Sequence, residues 1–303
     1  MKTNCFTFAI LAAVGAAPVF GCDLCAVYSA QEAQNGGKGF YAGAAGQFTH
    51  FGTLQISGSE VANHGEYIDS SVFQIFAGYS FGPRFSVQFN LPVICRSFGS
   101  ATASGSESGL GDASLTGNFQ IYRKNAGDFT FVWSALGGVK FPTGDSHWLG
   151  QPDFAPGIGG HDLALGSGSY DGLFGTSFST RWQRLFLAGQ MQYGLHTEGV
   201  FQHRYANDWS WAAGPGVYLA LQDDYTIALS FTTSGETKGP DTFAGVPDGD
   251  SAETIIYVGP EINATWTDQL SAHIGVDVPV SIASSGEQLV PDYRIHAAVT
   301  WRF

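Results

Sequence analysis

From Phe85 to Val93 every second residue is apolar: Phe85, Val87, Phe89, Leu91 and Val93 alternate with Ser86, Gln88, Asn90 and Pro92. A period of two is that of a strand, whose successive side chains leave on opposite faces, so one face here is oily and the other polar. The preceding stretch repeats it, with Phe73, Ile75, Ala77, Tyr79 and Phe81 against Gln74, Gly78 and Ser80, and Gly82-Pro83 between them predicts a tight hairpin. The same pattern returns in Leu115–Ile121, Phe129–Phe141, Phe174–Phe178, Leu185–Leu195, Trp209–Leu221, Tyr225–Phe231, Ile256–Trp266, Leu270–Val280 and Tyr293–Phe303. With a first strand near Phe40–Phe48, about twelve strands are expected, most of them long enough to cross an apolar layer of about 25 Å when tilted.

The connections separate a membrane barrel from a soluble two-sheet sandwich. Tight turns are expected near Gly82-Pro83, Asn125–Gly127, Gln183, Asp223-Asp224 and Asp268-Gln269, and long Gly-, Ser- or Asp-rich loops at 52–66, 96–107, 142–160, 197–206, 235–251 and 283–291. Strict alternation of short and long connections matches the periplasmic turns and outer loops of an up-and-down barrel with an even strand number. Trp133, Trp209, Trp211, Trp266 and Trp301 fall toward strand ends, where an interfacial girdle would place them. The fold class expected is therefore all-β, a transmembrane antiparallel up-and-down β-barrel of about twelve strands spanning 39–303 in a bacterial outer membrane. Its last strand is apolar at every second position and ends on Phe303, a form suited to the outer-membrane assembly machinery as a partner.

Composition narrows the picture. Charged residues make up only 13% of the 303, against roughly 25% in soluble globular chains. The net charge of -13 with only 13 Lys and Arg speaks against nucleic acid as a partner, since phosphate binding needs clustered cations. Lys2, an apolar run from Phe6 to Val14 and small residues from Gly15 to Gly21 predict a signal peptide over 1–21, followed by a short periplasmic segment, 22–38. Cys22 and Cys25 in that segment leave three readings open: a disulfide or plain thiols, lipidation of Cys22, or a metal or redox role, the last weakened because two thiolates are half of a structural zinc site.

Three elements occur in order: Ser108–Leu115, SGLGDASL; Gly137–Asp145, GGVKFPTGD; and Leu165–Asp171, LGSGSYD. Together they resemble the outer-membrane transporters named for the MetA pathway of phenol degradation, over about residues 108–303. The resemblance implies a barrel that moves hydrophobic or aromatic compounds, and it brings no catalytic residue. The N-terminal third and the Cys22–Cys25 pair lie outside the matched pattern.

On the inward parity stand Arg84, Asp112, Lys140, Asp171, Arg181, Glu261, His273, Asp277, Arg294, His296 and Arg302, expected to line the lumen because charge is costly on the lipid face. Tyr122, Phe186 and Tyr218 share that parity and would narrow it. No G-x-S-x-G elbow occurs, since Gly166-Ser167-Gly168-Ser169-Tyr170 lacks the final Gly, so an embedded acyl hydrolase ranks third and no catalytic residue is assigned. Asp145, His147, Asp153, His161 and Asp162 crowd one loop without HxH or HExxH spacing, and Asp241, Asp248 and Asp250 lack the order of a Ca²⁺ loop, so no metal and no cofactor are expected. The expected function is passage of small solutes, with outer-membrane lipid and the solute as partners; a non-transporting anchor or surface interaction barrel is the alternative.

Overall fold

The apolar positions of the alternating segments all arrive on the outside of one antiparallel sheet that closes on itself. The structure, a computed structural model, describes residues 38–267 and 269–303. The predicted signal peptide and the Cys22–Cys25 pair lie outside the described residues.

Among the described residues twelve long strands form the wall: β1 Gly39–Ile56, β2 Tyr67–Ser80, β3 Phe85–Gly99, β4 Ser114–Ala126, β5 Phe129–Lys140, β6 Asp171–Trp182, β7 Leu185–Leu195, β8 Asp208–Leu221, β9 Tyr225–Lys238, β10 Glu253–Trp266, β11 Leu270–Ser284 and β12 Glu287–Arg302. Each pairs antiparallel with its sequence neighbour, and β12 pairs with β1 from Tyr41↔Arg302 to Ile56↔Glu287, which closes the barrel and removes its edges. No helix among the described residues is long and apolar enough to cross a membrane; the strands do so.

The burial pattern is that of a soluble protein turned inside out. Along β2, Gln74 is 1% exposed while Ile75 is 51% exposed, and the same split runs through Phe89 against Asn90 and Leu115 against Thr116. The exposed band continues with Phe174, Leu187, Leu229, Ile262 and Val276, apolar surface that water would disfavour and lipid accepts. Trp182, Trp266 and Trp301 are exposed at one rim and Trp209 near the other, as interfacial anchors. The chain is thus an outer-membrane β-barrel. Placing a cation on the belt tests it: Val276→Arg, at the middle of β11, is expected to lower the unfolding free energy by about 2–4 kcal/mol. A loss under about 0.5 kcal/mol in detergent-micelle urea titrations would mean that Val276 does not face lipid.

Five connections at one end are short. The β4–β5 turn is Gly127-Asp128, with Gly127 at φ 58°, the left-handed conformation that a two-residue hairpin demands. At the other end β1 carries the strand pair Ser59–Glu60, and β3 pairs with Ser104–Leu110, so two hairpins rise beyond the membrane. Here the expected loops need correcting. The 283–291 loop is only Ser285-Gly286, because β11 and β12 keep extending and Ile282 still pairs with Ile255. The 96–107 loop is likewise mostly strand. Above the membrane both faces of a strand meet water, so pairing continues after the apolar alternation fades.

Candidate functional site

The inward face is polar or small along most strands, and among the described residues it borders a larger and a smaller cavity. The larger, of about 580 Å³, takes its wall from β1, β5 to β12 and includes Ser134, Ser177, Thr226, Ser230, Phe186 and Tyr218. The second, of about 270 Å³, lies toward the loop end, between the wall and residues Gly157, His161, Asp162, Ala164, Gly166 and Ser167 of the β5–β6 connection.

That connection, 141–170, folds into the barrel mouth. Its helical turn Gly160–Leu163 carries Leu163, 0% exposed, into a cluster with Ile158 of the same loop and with Leu54, Ile68, Phe98 and Leu289 of the wall. Trp148 and Phe154 pack edge-on against Phe98, and Leu165 joins Val72 and Ile94. The wall also grips the loop's backbone. The Arg96 guanidinium donates to the Asp162 and Ala164 carbonyls, the Leu289 N–H donates to the Gly157 carbonyl, and the Trp148 indole N–H donates to Glu107. A loop whose carbonyls are held by a half-buried arginine is part of the wall, and this packing narrows the mouth.

Beneath the loop the three glycine-rich elements of the sequence meet. Asp112, from the first, accepts from the Gly144 N–H of the second at 2.9 Å and from the Ser167 N–H and hydroxyl of the third at 2.8 and 2.7 Å. Lys140 Nζ bridges Asp171 at 2.8 Å and Asp112 at 3.7 Å. Asp171, 2% exposed, also accepts from the Ser169 hydroxyl at 2.9 Å and the Thr197 N–H at 3.0 Å. Glycine at 144 and 166 is required by this approach, since a Cβ on Gly166 would stand 2.7 Å from both Asp112 and the Gly144 backbone. His196, just past β7, completes the knot: Nδ1 is 3.0 Å from Asp171, a charge contact without an aligned hydrogen bond, and Nε2 is 3.7 Å from Asp208. Burial pulls the His196 imidazole toward its neutral form, but Asp171 and Asp208 more than offset this and raise its affinity for a proton. With both ring nitrogens turned to carboxylates, His196 offers no base to Ser167, whose hydroxyl is spent on Asp112.

A second charged group sits on β10 to β12. Arg294 Nε donates to Asp277 at 2.7 Å, its guanidinium lies 4.0 Å above the Tyr257 ring, and it donates also to Ser234. His296 is 3.6 Å from Asp277 and 3.8 Å from Glu261.

Of the lumen residues named from parity, Arg181, Glu261, His273, Asp277, Arg294 and His296 border the larger cavity, and Asp112 and Lys140 border the smaller. Asp171 lies just behind Lys140, and Arg302 lies 5.6 Å from the Tyr41 ring at the turn end. Arg84 departs from its expected place. It sits exposed in the 81–84 turn, because pairing of β3 with β4 begins only at Phe85↔Phe119 and strand parity does not reach back to it. Tyr122 also departs: a bulge between Gln120 and Tyr122 in β4 shifts the parity, and the ring is half exposed on the outside, opposite Trp133. The crowded acids and histidines of 141–170 divide. Asp145 and His147 pair at 3.1 Å on the outside, where the His147 backbone N–H and imidazole hold the Asp145 carboxyl below its ordinary range, while His161 faces the smaller cavity. Arg96, Ser167, Ser169, His196 and Asp208 escaped the sequence reading; Ser167 and Ser169 stood in a quoted element, whereas Arg96 was hidden in a presumptive loop.

No protein-family model matches the chain, and no curated protein matches it. Similar solved structures exist, and the first of those that follow shares its fold. An outer membrane channel from Pseudomonas putida F1 superposes with a TM-score of 0.65 at 16% identity, covering 88% of this chain and 96% of that one. The beta domain of a Bordetella autotransporter, BrkA, gives a TM-score of 0.48 at 11% identity over 88% of this chain and 100% of that one. The translocator domain of the autotransporter NalP from Neisseria meningitidis gives 0.46 at 14% identity, over 92% and 94%.

Proposed function

We propose that this barrel is a channel that passes small solutes across the bacterial outer membrane, entering past the inward-folded 141–170 loop into the lumen below. The observation that carries this reading is the cavity of about 580 Å³, lined by serines, threonines, alanines and a few charges. Small barrels of about eight strands fill their interior with side chains, whereas this wall leaves room for a solute or for several waters.

For the solute class, the smaller cavity joins apolar Phe51, Ile68, Leu173, Ile255 and Leu289 to Arg96, Lys140 and Asp162. Such a mixed wall suits a small aromatic compound bearing a polar group. The meeting of Asp112, Gly144 and Ser167 in one network supports kinship with the MetA-pathway transporters of phenol degradation, since it gives their three elements a common structural reason.

Planar-bilayer recording of the refolded mature chain tests the channel. Steady conductance steps are expected; silence from a chain whose heat-modifiable gel mobility confirms folding would leave an anchor or surface interaction barrel. Arg181 borders the larger cavity, so Arg181→Gln should move the cation-to-anion permeability ratio roughly twofold toward cations. An unchanged reversal potential would remove Arg181 from the conduction path. Liposome uptake of phenol against a neutral sugar of similar mass decides the solute class.

A further inference from the structure

The inner face of β10, β11 and β12 carries a group of side chains that neither the knot under the loop nor passage of solutes requires. Gly275 pairs with Glu261 on one side and with His296 on the other, so these two lie in one row across the sheet. His273, two residues earlier on β11, shares the face of Gly275 and pairs with Asn263 and Ala298. Glycine at 275 is what lets the row close up. A Cβ there would stand 2.4 Å from His296 Nε2, so the absence of one leaves room for the imidazole against β11. The ligating atoms of Glu261, His273 and His296 then fall within 4.8 Å of one another.

We infer that Glu261, His273 and His296 form a binding site for a divalent transition-metal ion, of the zinc, cobalt or nickel class, on the lumen wall. Two imidazoles and one carboxylate are a donor set that holds zinc with a position left to solvent, and imidazole favours these ions over magnesium or calcium. The surroundings orient the donors in the way metal sites require. Glu261 Oε1 accepts from Asn263 Nδ2 at 2.8 Å, which leaves Oε2 turned to His296 Nδ1 at 3.8 Å. On the far side of the same ring Nε2 faces Asp277 at 3.6 Å, and Arg294 pins that carboxylate at 2.7 Å. A carboxylate on the outer nitrogen of a ligating histidine fixes its tautomer and strengthens the donor. Glu261 and Asp277 together outnumber Arg294 in charge, so the site attracts a cation. All three donors border the 580 Å³ cavity, from which the ion would enter.

The site stands apart from the channel reading, and its test reads binding alone. The refolded full chain, without a histidine tag, is titrated with CoCl₂ while visible absorption is recorded, and Zn²⁺ stoichiometry is taken by equilibrium dialysis. One ion per barrel is expected, with a cobalt spectrum of nitrogen and oxygen ligation. His273→Gln and His296→Gln should each abolish that ion, and Asp277→Asn should weaken it about 10- to 100-fold. His147→Gln, on the outer surface, should leave it unchanged. Heat-modifiable mobility reports whether each variant is folded; if one glutamine variant is not, the other decides. Absence of stoichiometric binding in the natural chain overturns the site. So does binding that survives in a folded His273→Gln or His296→Gln barrel, which would place the ion elsewhere, on Cys22 and Cys25 for example.

Discussion

Asp171→Ala is expected to destabilise the barrel by about 3–5 kcal/mol, the cost of removing one partner from a buried ion pair. Asp171 is 2% exposed and receives Lys140 at 2.8 Å, the Ser169 hydroxyl at 2.9 Å and the Thr197 N–H at 3.0 Å. With alanine in its place, Lys140 loses its 2.8 Å carboxylate and retains Asp112 at 3.7 Å, while His196 retains Asp208 at 3.7 Å. The Thr197 N–H loses its acceptor, at a cost of about 1–3 kcal/mol unless the loop relaxes, whereas the Ser169 hydroxyl can still donate to Ser167 Oγ at 3.0 Å. Relaxation has its own signature, because this knot anchors the C-terminal end of the inward loop. Protease nicking within 141–170 should therefore accelerate in the variant. Urea titration of the folded form in micelles measures the loss, and Asp171→Asn, which keeps acceptors but not charge, should fall between the two. A loss below about 1 kcal/mol would mean that Lys140 and His196 are solvated and that the knot is not a stabilising unit.

Replacing residues 147–163 by a short Gly-Ser linker is expected to raise single-channel conductance roughly twofold or more, since the narrowest part of a pore dominates its resistance. The excised segment holds Ile158 and Leu163 against Leu54, Ile68, Phe98 and Leu289, and its removal turns that apolar mouth over to water. Each of the two buried side chains stabilises the packed loop by about 1.5–3 kcal/mol, so the linker will not refold into the mouth. The wall itself should survive, because strand pairing closes from β12 to β1 without any contribution from 147–163. Asp112, Gly144 and Ser167 remain in the shortened chain, which separates this variant from one that merely unties the knot. Unchanged conductance would show that the loop lies beside the path and not across it.

The two experiments act on different levels of the same arrangement. Asp171 governs whether the loop is held, and residues 147–163 govern what the held loop occludes. The glycine-rich elements explain themselves at the first level: Gly144 and Gly166 allow backbone to approach a carboxylate that caps it. Such elements can therefore persist in barrels that carry different solutes.

The wall was legible in the chain because a strand between lipid and lumen has two unlike solvents, and its side chains must alternate to satisfy both. Phe85 against Ser86, Phe89 against Asn90 and Ile75 against Gln74 state that requirement without any tertiary information. Parity likewise brought Glu261, His273 and Asp277 to the inner wall, since each stands directly beside outward-facing residues, Ile262, Ile274, Val276 and Val278. It failed at Arg84, which precedes the first pair, and at Tyr122, beyond a bulge, because a phase carries only as far as unbroken pairing. Strand length beyond the membrane was hidden for the converse reason: at Ile282 and Ser284 both faces are wet, and nothing in the residues has to alternate.

The amino-acid order by itself determined the crossing segments, their number, their polar and apolar faces and the end of the barrel that carries the long loops, all consequences of local alternation and turn chemistry. Only the tertiary structure decided which way the 141–170 loop turns, that Asp112, Lys140 and Asp171 meet beneath it, and that Glu261, His273 and His296 share a row across Gly275. The physical reason is register. Residues on neighbouring strands become adjacent through hydrogen-bond pairing and barrel closure, and a loop folds inward only when its apolar side chains find a wall that the sheet has already built.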